Sequence, residues 1–289
     1  MKKTIVIIFM MIIMILMLTG CQLVKPQKEG FQIVTSFSPI YILTKNIAKG
    51  IDQTSVINMA SQNVGCLHDY TLQTSDLMKV ESADVFVVNG LGIENFIQKI
   101  LDTYPSMPII EAGKGVDCTI EGEENAHIWL DIEKYEQQLR NITEMLVQYD
   151  KEHALFYQNN AMQYQLKLEQ LKKDLKEQCL IQKKCVSFSE SLAFLANSFN
   201  LQILTIETEH EQNGLSAERL MNIVEYIKTN KIKNIILDGQ TARNNAETVA
   251  LETGANIYVL HSGLEGAEDD DAYLAMMRQN AQIVKNMEE

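Results

Sequence analysis

The stretch Ala83-Asp-Val-Phe-Val-Val-Asn89, followed by Gly90-Leu-Gly-Ile-Glu94, decides how this 289-residue chain folds. Residues 85–88 are all apolar, the pattern of a strand covered on both faces, as in a parallel sheet. Gly90 and Gly92 close it. The spacing then predicts a helix over 93–104 and a further strand over 107–111. Working back toward the start, residues 31–35 read as a strand, 39–48 as a helix and 55–60 as a strand. Residues 74–80 read as a helix capped by Thr74 or Ser75. Strands alternating with helices give βαβ units around a parallel sheet.

The middle of the chain differs. From Asp131 to Gln178 there is no Gly and no Pro. Ala161, Tyr164, Leu168, Leu171 and Leu175 recur at steps of three or four among Lys, Glu and Gln, which marks an amphipathic helix. A helix over 151–178 would be about 40 Å long at 1.5 Å per residue. A coiled-coil arm is the competing reading, but only about two heptads are clean, so the stripe is expected to pack within a monomer.

Alternation then resumes. Strands are expected at 185–188, 202–206, 234–237 and 256–260. Helices are expected at 191–200, at 216–228 with Ser216 as N-cap, at 244–253 ending on Gly254, and at 273–287. The expected fold class is α/β: two lobes with parallel β-sheets flanked by helices, joined by one long rigid α-helix. The expected boundaries are 1–20 leader, 21–30 tether, 31–150 N-terminal lobe, 151–178 linking helix and 179–289 C-terminal lobe.

The leader rests on Lys2 and Lys3, an apolar run over 5–18, and Leu18-Thr19-Gly20-Cys21. That run suits a signal peptide and is short for a membrane span. Small residues directly before a Cys mark lipoprotein processing, with cleavage before Cys21 and acylation of its thiol; an uncleaved anchor is the alternative. Either way the remainder lies outside the cytoplasm, held to a membrane. Cleavage would remove only Lys2 and Lys3 among charged groups, leaving 23 basic and 38 acidic residues, a net charge of −15. Such a surface excludes nucleic acid as a partner and is compatible with a small cation. Cys66, Cys118, Cys179 and Cys185 also remain. An oxidising exterior would permit disulfides, 179 and 185 being near enough in sequence to pair, but the sequence does not fix connectivity. Without a CxxC, a thiolate zinc site is not expected.

The chain has five histidines. His68, His127 and His261 sit where a strand gives way to a loop or helix, and ligands of open α/β sheets bind beyond such strand ends. Three imidazoles there, drawn from both lobes, suggest one cleft; each alone could equally be a surface or packed residue. His153 falls in a polar helical stretch and reads as solvated. His210 falls in the polar run Glu207-Thr-Glu-His210-Glu-Gln-Asn-Gly214. No HExxH, GxSxG or GxGxxG pattern is present, and no carboxylates are placed for acid–base work, so no catalytic residues and no enzyme activity are expected.

Four stretches carry a family resemblance: Val34-Thr-Ser-Phe-Ser-Pro39; Gly65-Cys-Leu-His68-Asp69-Tyr70 with Ser75-Asp-Leu77 and Val88-Asn-Gly-Leu-Gly-Ile-Glu94; Asn125-Ala-His127-Ile-Trp129-Leu-Asp131; and Leu215-Ser-Ala-Glu-Arg-Leu220 with Glu252-Thr-Gly-Ala-Asn256 and Tyr273-Leu-Ala-Met-Met-Arg-Gln-Asn280. They resemble the zinc- and manganese-binding lipoproteins of bacterial ABC importers. The resemblance implies two (β/α)₄ lobes on a rigid backbone helix, one metal ion between them, and delivery to a membrane permease. It makes His68 and His127 the ligands of the N-terminal lobe.

The C-terminal lobe departs from the pattern. Ser189 falls where the family usually carries a His or Glu. Glu190, one step later, is taken as the ligand, with His210 as stand-in; its other reading is a charge complementing a helix N-terminus. His261 falls at the usual acidic position. Three His and one Glu suit Zn²⁺, whereas Mn²⁺ prefers more oxygen. Mn²⁺ or Fe²⁺ on the same scaffold, a metal-dependent adhesin and a secreted zinc hydrolase are the competing functions. Asp69 and Asp131 are candidate partners for the ring N–H groups, or simple helix caps. The segment 117–125 is acidic but lacks the histidines that family members carry there for collecting metal.

Overall fold

The computed structural model describes residues 30–60, 70–206, 215–239, 243–264 and 268–289. The N-terminal lobe runs β1 (Phe31–Phe37), α1 (Ser38–Ile47), β2 (Thr54–Ala60), α2 (Thr74–Glu81), β3 (Val85–Val88), α3 (Ile97–Thr103) and β4 (Ile109–Glu111). Its sheet is parallel throughout, in the order β2-β1-β3-β4. A hairpin, β5 (Thr119–Ile120) and β6 (Glu123–Glu124), follows. Next come a 3₁₀ turn (Ile128–Leu130), α4 (Ile132–Tyr149), a second 3₁₀ turn (Lys151–His153) and the long α5 (Ala154–Gln178).

The C-terminal lobe runs β7 (Lys183–Ser187), a 3₁₀ turn (Glu190–Phe194), α6 (Leu195–Phe199), β8 (Leu201–Thr205), α7 (Ala217–Asn230), β9 (Asn234–Asp238), α8 (Arg243–Thr253), β10 (Asn256–Leu260) and α9 (Ala272–Lys285). Its sheet is also parallel, in the order β10-β9-β7-β8. Numbered within each lobe, both sheets read 2-1-3-4. The lobes therefore share one topology, although their sequences are alike only in alternation. In each, strand order reverses between the first and third strand, and such a switch point leaves a crevice beyond the strands' carboxyl ends.

Several expected elements move. Residues 93–96 are not helical, because Glu94 turns back to bond the end of β3. The residue that precedes α2 is Gln73, not Thr74 or Ser75, and its N–H donates to Asp76 Oδ2 at 2.8 Å. Ser216 caps α7 as expected, its Oγ accepting from the N–H of Arg219 at 3.2 Å. The 191–200 segment splits into a 3₁₀ turn and the short α6. The stripe on α5 is buried along its whole length, from Tyr157 through Ala161, Tyr164, Leu168 and Leu171 to Leu175.

That stripe belongs to one core shared by both sheets, joining Ile33 and Val85 to Cys185, Ile236 and Leu260. Burying so many large side chains, at roughly 1.5–3 kcal/mol each, holds the lobes as one body. Aromatic contacts reinforce the junction. Tyr135 stacks on Tyr273 at 3.8 Å, and its hydroxyl donates to the Pro39 carbonyl at 2.8 Å. Among the described residues no helix is long and apolar enough to cross a membrane. Cys118, Cys179 and Cys185 are free thiols, and burial pushes the Cys185 thiol up to about 12.

Candidate metal centre

His127 lies beyond the hairpin, at the entry to the 3₁₀ turn that leads into α4. It is buried, only 3 % exposed, with its ring 5.2 Å from that of Trp129. Both its backbone N–H and its ring Nδ1 lie 2.9 Å from Oδ1 of Asn125. The Asn125 amide is fixed from its other end, where Nδ2 donates to the Glu190 carbonyl at 2.9 Å. Its oxygen must therefore face the imidazole. In that orientation a neutral ring bonds the amide oxygen through Nδ1–H, which leaves the Nε2 lone pair for a metal.

Asp131 does not fill that place. Its Oδ1 accepts from the N–H groups of Glu133 and Lys134 at 2.8 and 3.3 Å, and its Oδ2 accepts from Asn197 at 2.8 Å. It is the cap of α4, the second of the two roles open to it.

His127 is held from the N-terminal switch point as well. Asn89, at the end of β3, donates from Nδ2 to the Ala126 carbonyl at 3.0 Å, and its Oδ1 accepts from Gln138 at 2.8 Å. The buried carboxylate of Glu94 ties β1 to β3. It accepts from Ser36 Oγ at 2.8 Å, Asn89 N–H at 2.7 Å and Gly90 N–H at 3.0 Å. Burial pushes this carboxyl up to about 7, against the opposing pull of those hydrogen bonds.

His261 follows β10 directly. Its backbone is gripped twice by the buried Asn280, whose Oδ1 accepts from the His261 N–H and whose Nδ2 donates to the His261 carbonyl, both at 2.9 Å. Gly263, two residues on, has φ +83°, and a Cβ there would meet Met276 Sδ at 3.1 Å. The lobes join here: Trp129 Nε1 donates to the Ser262 carbonyl at 2.7 Å, and Tyr273 Oη donates to the Trp129 carbonyl at 2.8 Å.

Glu190 opens the 3₁₀ turn after β7. With Asn125 and the hairpin acids Glu121, Glu123 and Glu124 it lines a recess of about 450 Å³. Ser189, on the family's usual ligand position, is buried, its Oγ 2.7 Å from Ser191 Oγ; Ser191 in turn donates to Asp238 Oδ2 at 2.7 Å. Asp238 ends β9 and pairs in register with Leu260, so it stands between the ends of β7 and β10, at the switch point of this lobe.

His68, His210 and Asp69 lie outside the described residues. His153 bonds Asp150 Oδ2 through Nδ1 at 2.8 Å, at the α4–α5 junction. Among the described residues, no three His, Cys, Asp or Glu side chains stand close enough together to hold an ion.

A family model described as zinc-uptake complex component A, periplasmic, matches residues 33–287. The chain belongs to this family. Zinc-uptake complex component A is a family of substrate-binding proteins for metal transport, not of enzymes. The chain is 26 % identical over 283 residues to the high-affinity zinc uptake system protein ZnuA of Bacillus subtilis, covering 89 % of this chain and 88 % of that one. It is 25 % identical over 288 residues to the manganese-binding lipoprotein MntA of Halalkalibacterium halodurans, with 94 % of each covered. Among solved structures, the Zn(II)-bound ZnuA-like domain of Streptococcus pneumoniae AdcA is similar at TM-score 0.73 and 26 % identity, covering 89 % of this chain and 98 % of that one.

Zinc-uptake complex component A relatives are thus named for different metals, and this chain's donors must be weighed on their own chemistry. Sequence reading missed Asn125, Asp238 and Asn280 as site residues. Asn125 and Asn280 stand in the sequence only as members of longer motifs, with no local mark of their own. The one local sign of Asp238 is its place at the end of the apolar run 235–237.

Proposed function

We propose that this chain captures Zn²⁺ outside the cytoplasm and hands it to the permease of an ABC importer, working as a monomer from a lipid anchor on Cys21. His68, His127 and His261 supply nitrogen, and Glu190 supplies oxygen, with His210 in its place if the Glu190 carboxylate turns away. The observation that carries this reading is the 2.9 Å contact between Asn125 Oδ1 and His127 Nδ1, which suits an imidazole that binds a metal through Nε2. Asn280 gives His261 a comparably fixed backbone in the other lobe, and the Trp129–Ser262 bond ties the two segments together. A set rich in imidazole favours Zn²⁺ over Mn²⁺. The relatives named for zinc and for manganese support metal capture in general.

Competition calorimetry tests the choice of metal. Zn²⁺ should displace Mn²⁺ and Fe²⁺, and Mn²⁺ binding tighter than Zn²⁺ would reject it. Because imidazole must be neutral to bind, affinity should weaken below about pH 6.

A further inference from the structure

The Asn125 side chain bonds both a histidine of the N-terminal lobe and the turn carrying Glu190. Its oxygen takes the Nδ1–H and the backbone N–H of His127, and its nitrogen grips the Glu190 carbonyl. The hairpin fixes it from behind, since its own N–H donates to the Cys118 carbonyl at 2.9 Å. The side-chain amide thus meets three demands from two lobes, and exchanging its oxygen and nitrogen would satisfy none of them as the present orientation does. Ser191, the next residue of the gripped turn, is tied to Asp238.

We propose that Asn125 is a positioning residue that couples the ring orientation of His127 to the seating of the 190–194 turn. Loosening the turn frees the amide, and a freed amide releases the imidazole from its Nδ1–H form. This deepens the metal-capture reading and rests on it only for its effect on affinity.

Two variants separate the halves of the amide. Asn125→Asp keeps an acceptor for the ring and loses the donor to Glu190. Asn125→Leu loses both. Long-range ¹H–¹⁵N spectra of the metal-free full-length chain should show His127 as the Nδ1–H tautomer in the wild type and in Asn125→Asp. Asn125→Leu should move toward Nε2–H. Hydrogen exchange across 190–194 should quicken in both variants. Zn²⁺ affinity should fall about 10–100-fold in Asn125→Leu, as for other partners of a metal-bound ring. An unmoved tautomer in Asn125→Leu, or wild-type exchange in Asn125→Asp, would overturn the proposal. A wild-type chain that binds no divalent ion would instead sink the transport reading, while the two metal-free measurements would still decide the role of Asn125.

Discussion

The indole N–H of Trp129 donates to the carbonyl of Ser262 at 2.7 Å, inside the core and across the two lobes. Trp129 lies two residues after His127, and Ser262 one residue after His261. The distance between the two histidine segments is therefore set by a buried hydrogen bond as well as by shape. Trp129→Phe would leave the Ser262 carbonyl buried without that donor, a loss of about 1–3 kcal/mol. The metal-free variant should melt several degrees lower by calorimetry and bind Zn²⁺ more weakly. Unchanged melting would show that the carbonyl finds another partner.

Glu94 predicts an unusual pH dependence. Its folded carboxyl lies near 7, above its ordinary 4.5. An acid raised on folding holds its proton more tightly in the native state. Its contribution is therefore complete below about pH 4.5 and is lost as pH rises through about 7. At about 1.4 kcal/mol per pH unit, the loss is somewhat above 3 kcal/mol. Thermal unfolding of metal-free protein between pH 5 and 8 should show a falling contribution that Glu94→Gln removes. Parallel curves for the two proteins would contradict it.

Asp238 should matter through Ser191. Asp238→Ala removes the acceptor that anchors the Ser189–Ser191 hydroxyl pair, at about 1–3 kcal/mol in urea unfolding. Asp238→Asn can still accept from Ser191 and should restore most of that stability. If Asp238→Asn unfolds as readily as the alanine variant, the anchoring role is wrong.

The histidines should separate cleanly. Alanine at His68, His127 or His261 should lower Zn²⁺ affinity by more than the ~10–100-fold typical of an outer partner. His153→Ala should leave it unchanged, since its ring is engaged with Asp150 at the helix junction. Titration against a chromophoric chelator measures all four.

The fold was largely legible because its elements announce themselves locally. The strand 256–260 and the capped helix after Ser216 match expectation, and the stripe from Ala161 to Leu175 is buried as the spacing required. Helix α4 was not singled out. Its buried Ile132, Tyr135, Leu139, Ile142 and Leu146 nonetheless recur at steps of three and four, with Glu136 and Gln138 buried between them. The hairpin was missed because its turn is Glu121-Gly122, both at positive φ, with no Asn-Gly or Asp-Gly signal. At the site, residue types pointed to the histidines, whereas Asn125, Glu94 and Asp238 work through bonds to distant segments. Nothing in their own neighbourhoods carries that information.

The decisive measurement is an anomalous difference map at the zinc edge, from crystals of the zinc-loaded chain. We expect one strong peak within about 2.0–2.1 Å of imidazole nitrogens from both His127 and His261. A peak bound by only one lobe, or no ordered zinc with both histidines intact, would contradict capture between the lobes.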